Sequence, residues 1–322
     1  MKRIVILPDM KNYLEEYKRA APGWEIVVKP GLDEVQSLLP EAEIVLGWSP
    51  DVENLCVRNP SCLKWLHAPS AGVDFLPLAE FRARGIMVTS SGGMNVPQLS
   101  ETTLGLMISL VRGFRYTSAN QVEHVWVTGE RVVEEFRMSQ IHGMTLGILG
   151  AGKVGVELTK IAHAFDMKVL GLTRTGGVRE NMDTSYGLDG LDELLAASDF
   201  VVNIMPATPA TERMIAAPQF AKMKPSAYYV NVGRGVTTDT DALIDALRRG
   251  VIAGAGLDVV DPEPLPADSP LWDMKNVIIV SHIGGMGPYN AGRIAAIFTK
   301  NLEDYVAGRK PSQNLIDLEA SY

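Results

Sequence analysis

Three side chains that could bind an anion or transfer a proton lie in the second half of the chain. Arg234, Glu263 and His282 each come shortly after a run of apolar residues. Reduction of a 2-keto acid needs a cation to hold the carboxylate and polarise the carbonyl, and an acid to protonate the nascent alkoxide. Arg234 could be this cation and His282 this acid. Glu263 would then orient the imidazole ring and favour its protonated form.

Each of these residues also has an ordinary structural interpretation, since a histidine after a strand is often a hydrogen-bonded part of the fold. Their shared position favours catalysis, because ligands of open parallel sheets bind beyond the carboxyl ends of the strands. His67 also follows an apolar segment, but no other feature supports a catalytic role. We interpret the remaining histidines as structural: His124, His142 and His163.

A glycine-rich turn joins a predicted strand to a predicted helix. Residues 146–155 are Leu-Gly-Ile-Leu-Gly-Ala-Gly-Lys-Val-Gly, and apolar residues then recur at helical spacing. Gly150 permits the turn, Gly152 allows backbone N–H groups to approach a pyrophosphate, and Gly155 lets the helix pack on its strand. The sequence therefore predicts a dinucleotide site. We expect the cofactor to contact Gly150, Gly152, Lys153, Val154 and Gly155.

The next predicted strand, 168–172, ends without the carboxylate that would bind both ribose hydroxyls of NAD(H). Thr173 and Arg174 occupy that position instead. An arginine can make bidentate, charge-assisted bonds to a 2′-phosphate, which a carboxylate would repel. We therefore predict NADP(H) in preference to NAD(H), with a solvated loop arginine as the alternative interpretation.

Apolar patterning predicts two α/β units with parallel sheets. In the first, strands at 3–8, 24–29, 43–48, 64–68 and 86–89 alternate with helices at 12–21, 33–39 and 74–84. In the second, helices alternate with strands at 144–149, 168–172, 199–205, 227–232, 252–259 and 276–281. Longer helices are predicted at 98–121 and 289–307. The fold class is α/β, with two doubly wound parallel-sheet domains.

Composition excludes several classes of protein. The chain has 322 residues, of which 46% are hydrophobic and 21% charged, as in ordinary globular enzymes. A formal charge of −8 without a Lys/Arg run argues against nucleic acid as a partner. The absence of a signal-peptide or membrane-length apolar run predicts a cytoplasmic protein without a membrane partner. Cys56 and Cys62 form no zinc or disulfide pattern, so no metal is expected.

These motifs resemble those of the D-isomer-specific 2-hydroxyacid dehydrogenase family, and the resemblance runs nearly end to end. The matching segments are residues 70–74, 100–101, 146–155, 205–211, 231–235, 256–259, 262–266 and 281–285. Thr173–Arg174 and residues 271–272 are similar to the glyoxylate/hydroxypyruvate reductase branch, which uses NADPH. Lys153 departs from the arginine of many members, a mild change because backbone groups make most of the pyrophosphate contact.

The resemblance implies a flavodoxin-like substrate-binding domain of residues 1–97 and 289–322 and a Rossmann cofactor domain of residues 98–288. It also implies a homodimer formed through the cofactor domains. The backbone N–H groups of Ala71 and Gly72 would help to bind the substrate carboxylate, together with Arg234 and His282. Asp258 would lie near the nicotinamide amide. Further cofactor contacts are implied for Pro206, Thr211, Val232, Gly233 and Gly284.

The expected substrate is glyoxylate, hydroxypyruvate or a bulkier 2-keto acid. A bulky or aromatic acid would fit if several large side chains line the pocket, although such residues more often pack in a core. The candidates are Trp48, Met94, Trp126 and Met286. The 286–288 segment is less familiar in the family and could shape the same pocket.

Two other functions use the same fold. A dinucleotide-sensing corepressor would bind cofactor to control protein–protein contact, and intact Arg234, Glu263 and His282 favour an enzyme over this alternative. A formate-type dehydrogenase is disfavoured, because the family resemblance there calls for glutamine at the position of Glu263.

Overall fold

In this computed structural model, the structure describes residues 2–7, 10–28, 35–136 and 138–320. The chain divides into two compact units. The first unit is Met1–Asn95 with Gly287–Tyr322, and the second unit is Val96–Met286. Their boundaries lie two residues before those expected from the family resemblance.

The first unit contains a five-stranded parallel sheet. Its strands are β1 (Arg3–Ile6), β2 (Glu25–Val28), β3 (Ile44–Leu46), β4 (Trp65–Ala68) and β5 (Met87–Ser90). Their order across the sheet is β2-β1-β3-β4-β5, the order of flavodoxin-like folds. Three helices follow strands within this unit: α1 (Leu14–Ala20), α2 (Pro50–Val52) and α3 (Leu78–Ala83).

The second unit contains a seven-stranded parallel sheet ordered β12-β11-β10-β9-β6-β7-β8. Its helices before the first strand are α4 (Val96–Arg112), α5 (Phe114–Val122) and α6 (Gly129–Glu135). Its strands are β6 (Thr145–Leu149), β7 (Lys168–Leu172), β8 (Thr184–Tyr186), β9 (Phe200–Asn203), β10 (Tyr228–Asn231), β11 (Gly254–Leu257) and β12 (Val277–Ile279). Helices between strands are α7 (Lys153–His163), α8 (Leu191–Ala197), α9 (Ala217–Phe220) and α10 (Thr240–Arg248). Counted from β6, this is the Rossmann order 3-2-1-4-5-6 with one strand added, so the predicted fold class is confirmed.

Both faces of the central strands of each sheet are buried, which explains their nearly continuous apolar sequences. In β6, Leu146 and Ile148 pack into one core cluster of the second unit, while Leu149 packs into the other. In β1, Val5 packs on one side of its sheet, and Ile4 and Ile6 pack on the other. This two-sided burial fixes the register, since a slip by one residue would exchange the two faces.

Several predicted elements differ from the observed ones. The single helix expected at 98–121 is broken at Gly113, whose φ of 67° is left-handed. The helix expected at 33–39 is, in its described part, a 3-10 helix over Gln36–Glu41. The edge strand β8 was not predicted, because its three residues are only half-buried and carry no apolar run. Some ends of predicted elements lie outside the described residues. They are Pro8 and Lys29, which end the predicted strands 3–8 and 24–29, and residues 33–34, which begin the predicted helix 33–39.

The C-terminal segment returns to the first sheet after α11 (Asn290–Val306), close to the predicted helix 289–307. The Ile316 amide donates to the carbonyl of Val88 at 2.9 Å. The Asp304 carboxylate holds the intervening turn, since it accepts hydrogen bonds from Arg309 Nη2 at 2.6 Å and Ser312 Oγ at 2.5 Å. These bonds, the Ser312 bond most of all, lower the pKa of Asp304 to about 2.

Two further properties bear on function. Across residues 2–7, 10–28, 35–136 and 138–320, no helix is long and apolar enough to cross a membrane. The same residues contain no group of three or more His, Cys, Asp or Glu side chains that could hold a metal ion.

Asp304→Asn should destabilise the protein in a pH-dependent way. The carboxyl pKa falls from about 3.9 in unfolded chains to about 2 in the fold, so its contribution is complete above about pH 4 and disappears as pH falls through 2. The urea midpoint of the variant should therefore lie below that of the wild type at pH 7, and the gap should narrow towards pH 2. Glu303→Gln, an exposed neighbour, is the control. A gap that stays constant from pH 7 to pH 2.5 would contradict this assignment.

Candidate active site

The polar residues of the candidate site lie beyond the carboxyl ends of β10, β11 and β12, which the parallel sheet brings to one edge. Arg234 lies three residues after the end of β10, and His282 lies three residues after the end of β12. Glu263 lies in the segment that follows β11. The sequence order of these residues therefore becomes spatial order along three adjacent strands.

His282 and Glu263 form a direct pair. His282 Nδ1 lies 2.7 Å from Glu263 Oε2, and Glu263 Oε1 accepts a hydrogen bond from the Val260 amide at 3.0 Å. The side chains are 51% and 36% exposed, so both remain accessible to solvent or a ligand. Nε2 makes no hydrogen bond to the described residues and is available to a substrate. This arrangement suits a proton donor that is oriented by a carboxylate.

The backbone around His282 is held in an unusual conformation. Ser281 and His282 have φ of 52° and 58°, a left-handed region that costs energy for residues with side chains. The His282 amide donates to the Asp258 carbonyl at 2.6 Å. Such strain persists only where surrounding contacts impose it, and it is often found at functional sites.

Asp258 connects the end of β11 to the segment after His282. Its buried carboxylate accepts the Gly284 amide at 2.9 Å. Burial raises the pKa of Asp258, and the hydrogen bond from Gly284 opposes this shift. A Cβ on Gly284 would lie 2.7 Å from Asp258 Oδ2, so the close approach requires glycine there. Thr102 Oγ1 donates to the Gly284 carbonyl at 3.0 Å, a contact that the sequence did not suggest.

Arg234 is half-buried and lies in a turn fixed by neighbouring polar side chains. Its Nη1 donates to the Gly233 carbonyl at 2.9 Å, and its own carbonyl accepts bonds from Asn231 Nδ2 at 3.2 Å and Thr237 Oγ1 at 2.7 Å. Neither Asn231 nor Thr237 is among the site residues predicted from the sequence. Polar residues two positions before and two positions after the Gly-Arg-Gly turn are the signal that could have identified them.

The turn that carries Arg234 contacts the segment that carries Glu263. A Cβ on Gly235 would lie only 1.8 Å from the Val260 carbonyl oxygen, so only glycine allows the two segments to touch. Val260 in turn binds Glu263, which binds His282. The three predicted catalytic residues are thus joined by one continuous set of contacts.

The glycine-rich turn has the geometry that a dinucleotide requires. Gly150 has φ of 87°, and a Cβ there would lie 2.9 Å from the Ile204 carbonyl oxygen. Gly152 precedes α7, and a Cβ there would meet only the Gly150 carbonyl oxygen, at 4.0 Å. The first turn of α7, with Lys153 and Val154, contains no acidic residue to repel an anion. These features fit a pyrophosphate at a helix N-terminus.

Thr173 and Arg174 follow the end of β7, next to the glycine-rich turn. Thr173 is 7% exposed, and its buried Oγ1 has no hydrogen-bond partner among the residues that the structure describes. A buried hydroxyl without a partner costs free energy, so a ligand oxygen or nitrogen there would be stabilised. Arg174 is exposed, as expected of a side chain that meets a phosphate at the rim of a site.

The remaining cofactor candidates border the same sheet edge. Thr211 Oγ1 donates to the Pro206 carbonyl at 2.6 Å and so shapes the segment after β9. Gly233 contacts that segment, because a Cβ on it would lie 2.7 Å from the Met205 carbonyl oxygen. Val232 is buried, with 3% exposure.

In the first unit, Ala71 and Gly72 are half-buried and follow β4. Ser70 Oγ donates to the Gly72 carbonyl at 2.7 Å, and the Ser91 amide donates to the Ser70 carbonyl at 2.8 Å. His67 is fully buried.

The four pocket candidates fall into two groups. The ring centroids of Trp48 and Phe81 are 5.8 Å apart, and Trp48 packs against one core cluster of the first unit. Met94 packs against the other core cluster of that unit. Trp126 and Met286 are 93% and 70% exposed, so core packing is the wrong interpretation for these two.

Comparison with known proteins places this geometry in context. The family model "D-isomer specific 2-hydroxyacid dehydrogenase, NAD binding domain" matches residues 104–284. Glyoxylate/hydroxypyruvate reductase B of Shigella boydii is 33% identical over 279 residues, 86% of each chain. A solved family protein from Aeromonas salmonicida is 32% identical with a TM-score of 0.84, covering 98% of this chain and 99% of that one. A relative from Xanthobacter autotrophicus, solved with NADPH and MES, is 28% identical with a TM-score of 0.83 over 100% and 99%.

Proposed function

The chain belongs to the D-isomer specific 2-hydroxyacid dehydrogenase family, and on this premise we propose that Arg234, Glu263 and His282 carry its catalysis. The family predicted from the sequence motifs is thereby confirmed. The protein is an oxidoreductase that exchanges a hydride between a nicotinamide dinucleotide and a 2-keto acid/D-2-hydroxy acid pair. The observation that best supports the catalytic assignment is the 2.7 Å contact between His282 and Glu263 at the carboxyl edge of the cofactor-binding sheet.

In this proposal each side chain acts on one part of the substrate. The Arg234 guanidinium holds the substrate carboxylate and polarises the ketone oxygen, because its planar fork suits bidentate binding. When bound, the reduced nicotinamide supplies the hydride to the ketone carbon. His282 donates the proton from Nε2 to the alkoxide oxygen, and Glu263 stabilises the charged ring from Nδ1. In the oxidation direction, neutral His282 removes the hydroxyl proton.

We assign NADP(H) as the cofactor, with NAD(H) as a weaker alternative. Arg174 after β7 supplies a cation for a 2′-phosphate, and the end of that strand has no carboxylate to repel one. The relative solved with NADPH supports the same assignment. The Thr173 hydroxyl, which has no hydrogen-bond partner in the described part of the chain, provides a further polar contact at this end of the site.

The substrate and the assembly are further parts of the proposal. The reductase relatives favour glyoxylate or hydroxypyruvate as the substrate. A bulkier 2-keto acid is the alternative substrate, because the exposed side chains of Trp126 and Met286 are available to line a pocket. We propose that the first unit binds substrate through Ala71 and Gly72, and that the protein is a cytoplasmic homodimer.

NADPH oxidation over a panel of 2-keto acids tests the activity, and light scattering tests the dimer. Binding of NADPH without turnover of any acid would instead favour the corepressor alternative, which the comparisons do not support.

Arg174→Ala should raise the KM for NADPH much more than the KM for NADH, because only NADPH loses a phosphate partner. Arg179→Ala removes another exposed arginine from the same segment and is the matched control. Steady-state kinetics with both cofactors at saturating keto acid measure the effect. An equal change in both KM values would rule out Arg174 as the phosphate ligand.

Arg234→Ala should lower kcat/KM for keto-acid reduction by about 10²–10³-fold, the loss seen when one oxyanion donor is removed. Arg234→Lys should recover only part of this loss, since an ammonium group cannot form the same fork. The exposed Arg248→Ala controls for loss of positive charge. Activity of Arg234→Ala near that of the wild type would place the carboxylate anchor elsewhere.

Glu263→Gln should move the alkaline limit of reduction to lower pH. Reduction needs protonated His282, so activity falls as pH rises through the loss of that proton, and removing the carboxylate favours the loss. Hydroxy-acid oxidation should show the opposite pH trend. The measurement is kcat/KM against pH under conditions where hydride transfer limits the rate.

The control for this experiment is Asp183→Asn. It alters another histidine–carboxylate pair of the second unit, in which His163 Nε2 lies 3.2 Å from Asp183 Oδ2. Its pH profile should match that of the wild type. If Glu263→Gln also left the profile unmoved, Glu263 would not be the functional partner of His282.

A further inference from the structure

A histidine that the proposed reaction does not use lies in the core of the first unit. His67 in β4 is fully buried, and its ring centroid lies 5.3 Å from that of Phe298. Burial lowers the pKa of His67 to about 3, so the ring is neutral at physiological pH. Both ring nitrogens have hydroxyl partners: Nδ1 lies 2.7 Å from Thr89 Oγ1, and Nε2 lies 3.0 Å from Ser91 Oγ.

The surrounding donors fix which nitrogen of this ring carries the proton. The Ser91 hydroxyl donates to the Ala68 carbonyl at 3.0 Å, so Ser91 Oγ must accept from His67 Nε2–H. On the other side, Trp65 Nε1, which can only donate, bonds to Thr89 Oγ1 at 2.8 Å. The Thr89 hydroxyl proton is then free to bond to the unprotonated Nδ1. Every polar atom in this network has a partner, and the bonds run in one direction.

Ser91 links the buried ring to the segment that follows β4. Its hydroxyl binds the Ala68 carbonyl, and its amide donates to the Ser70 carbonyl at 2.8 Å. Ser70 Oγ in turn donates to the Gly72 carbonyl at 2.7 Å. The backbone of Ala71, between Ser70 and Gly72, is therefore held from both sides.

The segment after β5, which carries Ser91, is itself anchored from the C-terminal tail. Asn314 Nδ2 donates to the carbonyls of Ser90 at 3.1 Å and Gly92 at 2.9 Å, and the Ser90 amide donates to the Asn314 carbonyl. The segment that contains Ser91 is thus held from one side by Asn314 of the C-terminal tail and from the other side by the protein core. The contact on the core side is the hydrogen bond between His67 Nε2 and Ser91 Oγ.

We propose that His67 is a positioning residue for the substrate carboxylate, acting through Ser91 to hold the Ala71 and Gly72 amides in their binding conformation. This inference rests on the proposed function, in which those two amides bind the carboxylate. His67 itself touches neither substrate nor cofactor. Its loss should therefore weaken keto-acid binding and leave cofactor binding and the chemical step nearly intact.

Two substitutions at His67 separate its two hydrogen bonds. A glutamine side chain can place its amide nitrogen near the position of Nε2 and keep the bond to Ser91, whereas asparagine reaches only towards Thr89. His67→Asn should raise the KM for the keto acid by about tenfold, the size expected from loss of one buried hydrogen bond. Its kcat and its KM for NADPH should change little. His67→Gln should restore most of the keto-acid KM.

Ser91→Ala tests the same link from its other end. The variant keeps the backbone bond to Ser70 but loses the hydroxyl between His67 and Ala68, so the same rise in keto-acid KM is expected. The double variant of His67→Asn with Ser91→Ala should be no worse than either single variant, because both remove one interaction. Ser61→Ala is the matched control, since Ser61 Oγ also donates to a main-chain carbonyl of this unit, that of Cys56, at 2.7 Å.

Hydrogen exchange measured by mass spectrometry supplies a readout independent of catalysis. Peptides covering residues 69–73 and 90–94 should exchange faster in His67→Asn and Ser91→Ala than in the wild type, His67→Gln or Ser61→Ala. Unchanged exchange would overturn the positioning role, and so would faster exchange with an unchanged keto-acid KM. A wild type that reduces no 2-keto acid would contradict the proposed function, while exchange would still decide whether His67 holds these segments. If His67→Asn does not fold, Ser91→Ala decides the outcome.

Discussion

Parallel strand pairing at the carboxyl edge of the seven-stranded sheet is the constraint on which the candidate site depends. Because β10, β11 and β12 run in the same direction in adjacent positions, the segments after them must leave the sheet side by side. Gly235 then allows two of these segments to come within contact distance at the Val260 carbonyl. That contact brings the arginine turn next to the segment whose carboxylate holds His282. The arrangement of these side chains is thus a consequence of strand order and of the missing side chain at Gly235.

A buried polar network makes this edge rigid. Asn203 and Asn231 are paired in register at the ends of β9 and β10. Asn203 Nδ2 donates to Tyr229 OH at 2.8 Å and to Thr237 Oγ1 at 2.8 Å, and Tyr229 OH lies 2.6 Å from Thr238 Oγ1. A fully satisfied network of this kind specifies one arrangement, because any displacement would leave a buried polar atom without a partner. The turn that carries Arg234 is built directly on it.

The first unit uses the same principle at a smaller scale. The residues directly after β4 and β5 include Ser70, Ala71 and Gly72 and, in the other segment, Ser91 and Gly92, whose side chains are small or polar. Hydroxyl and amide groups hold these segments, with His67 and Ser91 on the core side and Asn314 on the tail side. Hydrogen bonds are directional, so they fix the backbone conformation of these segments.

The sequence by itself determined the elements and their class. Apolar periodicity predicts all the described strands except the half-buried β8, and the glycine spacing at 150, 152 and 155 predicts the strand, turn and helix observed at β6 and α7. These features are local, because each depends on neighbours within a few residues. The single helix expected at 98–121 was wrong, because the chain breaks at the left-handed Gly113. The reason is tertiary, since Phe136 packs so close to Gly113 that a Cβ there would have no room.

Only the tertiary structure decided which polar residues meet. Glu263 was expected to orient His282, but only the fold brings these residues, 19 apart in the chain, to 2.7 Å. His67 and Ser91 are 24 residues apart, and no pattern in the sequence pairs them. The two histidines look alike in sequence, because each follows an apolar strand segment. The fold leaves the first half-exposed beside a carboxylate and encloses the second among hydroxyl groups and aromatic rings. Burial and the available partners, which depend on the packing of distant segments, decide the chemistry of an imidazole ring.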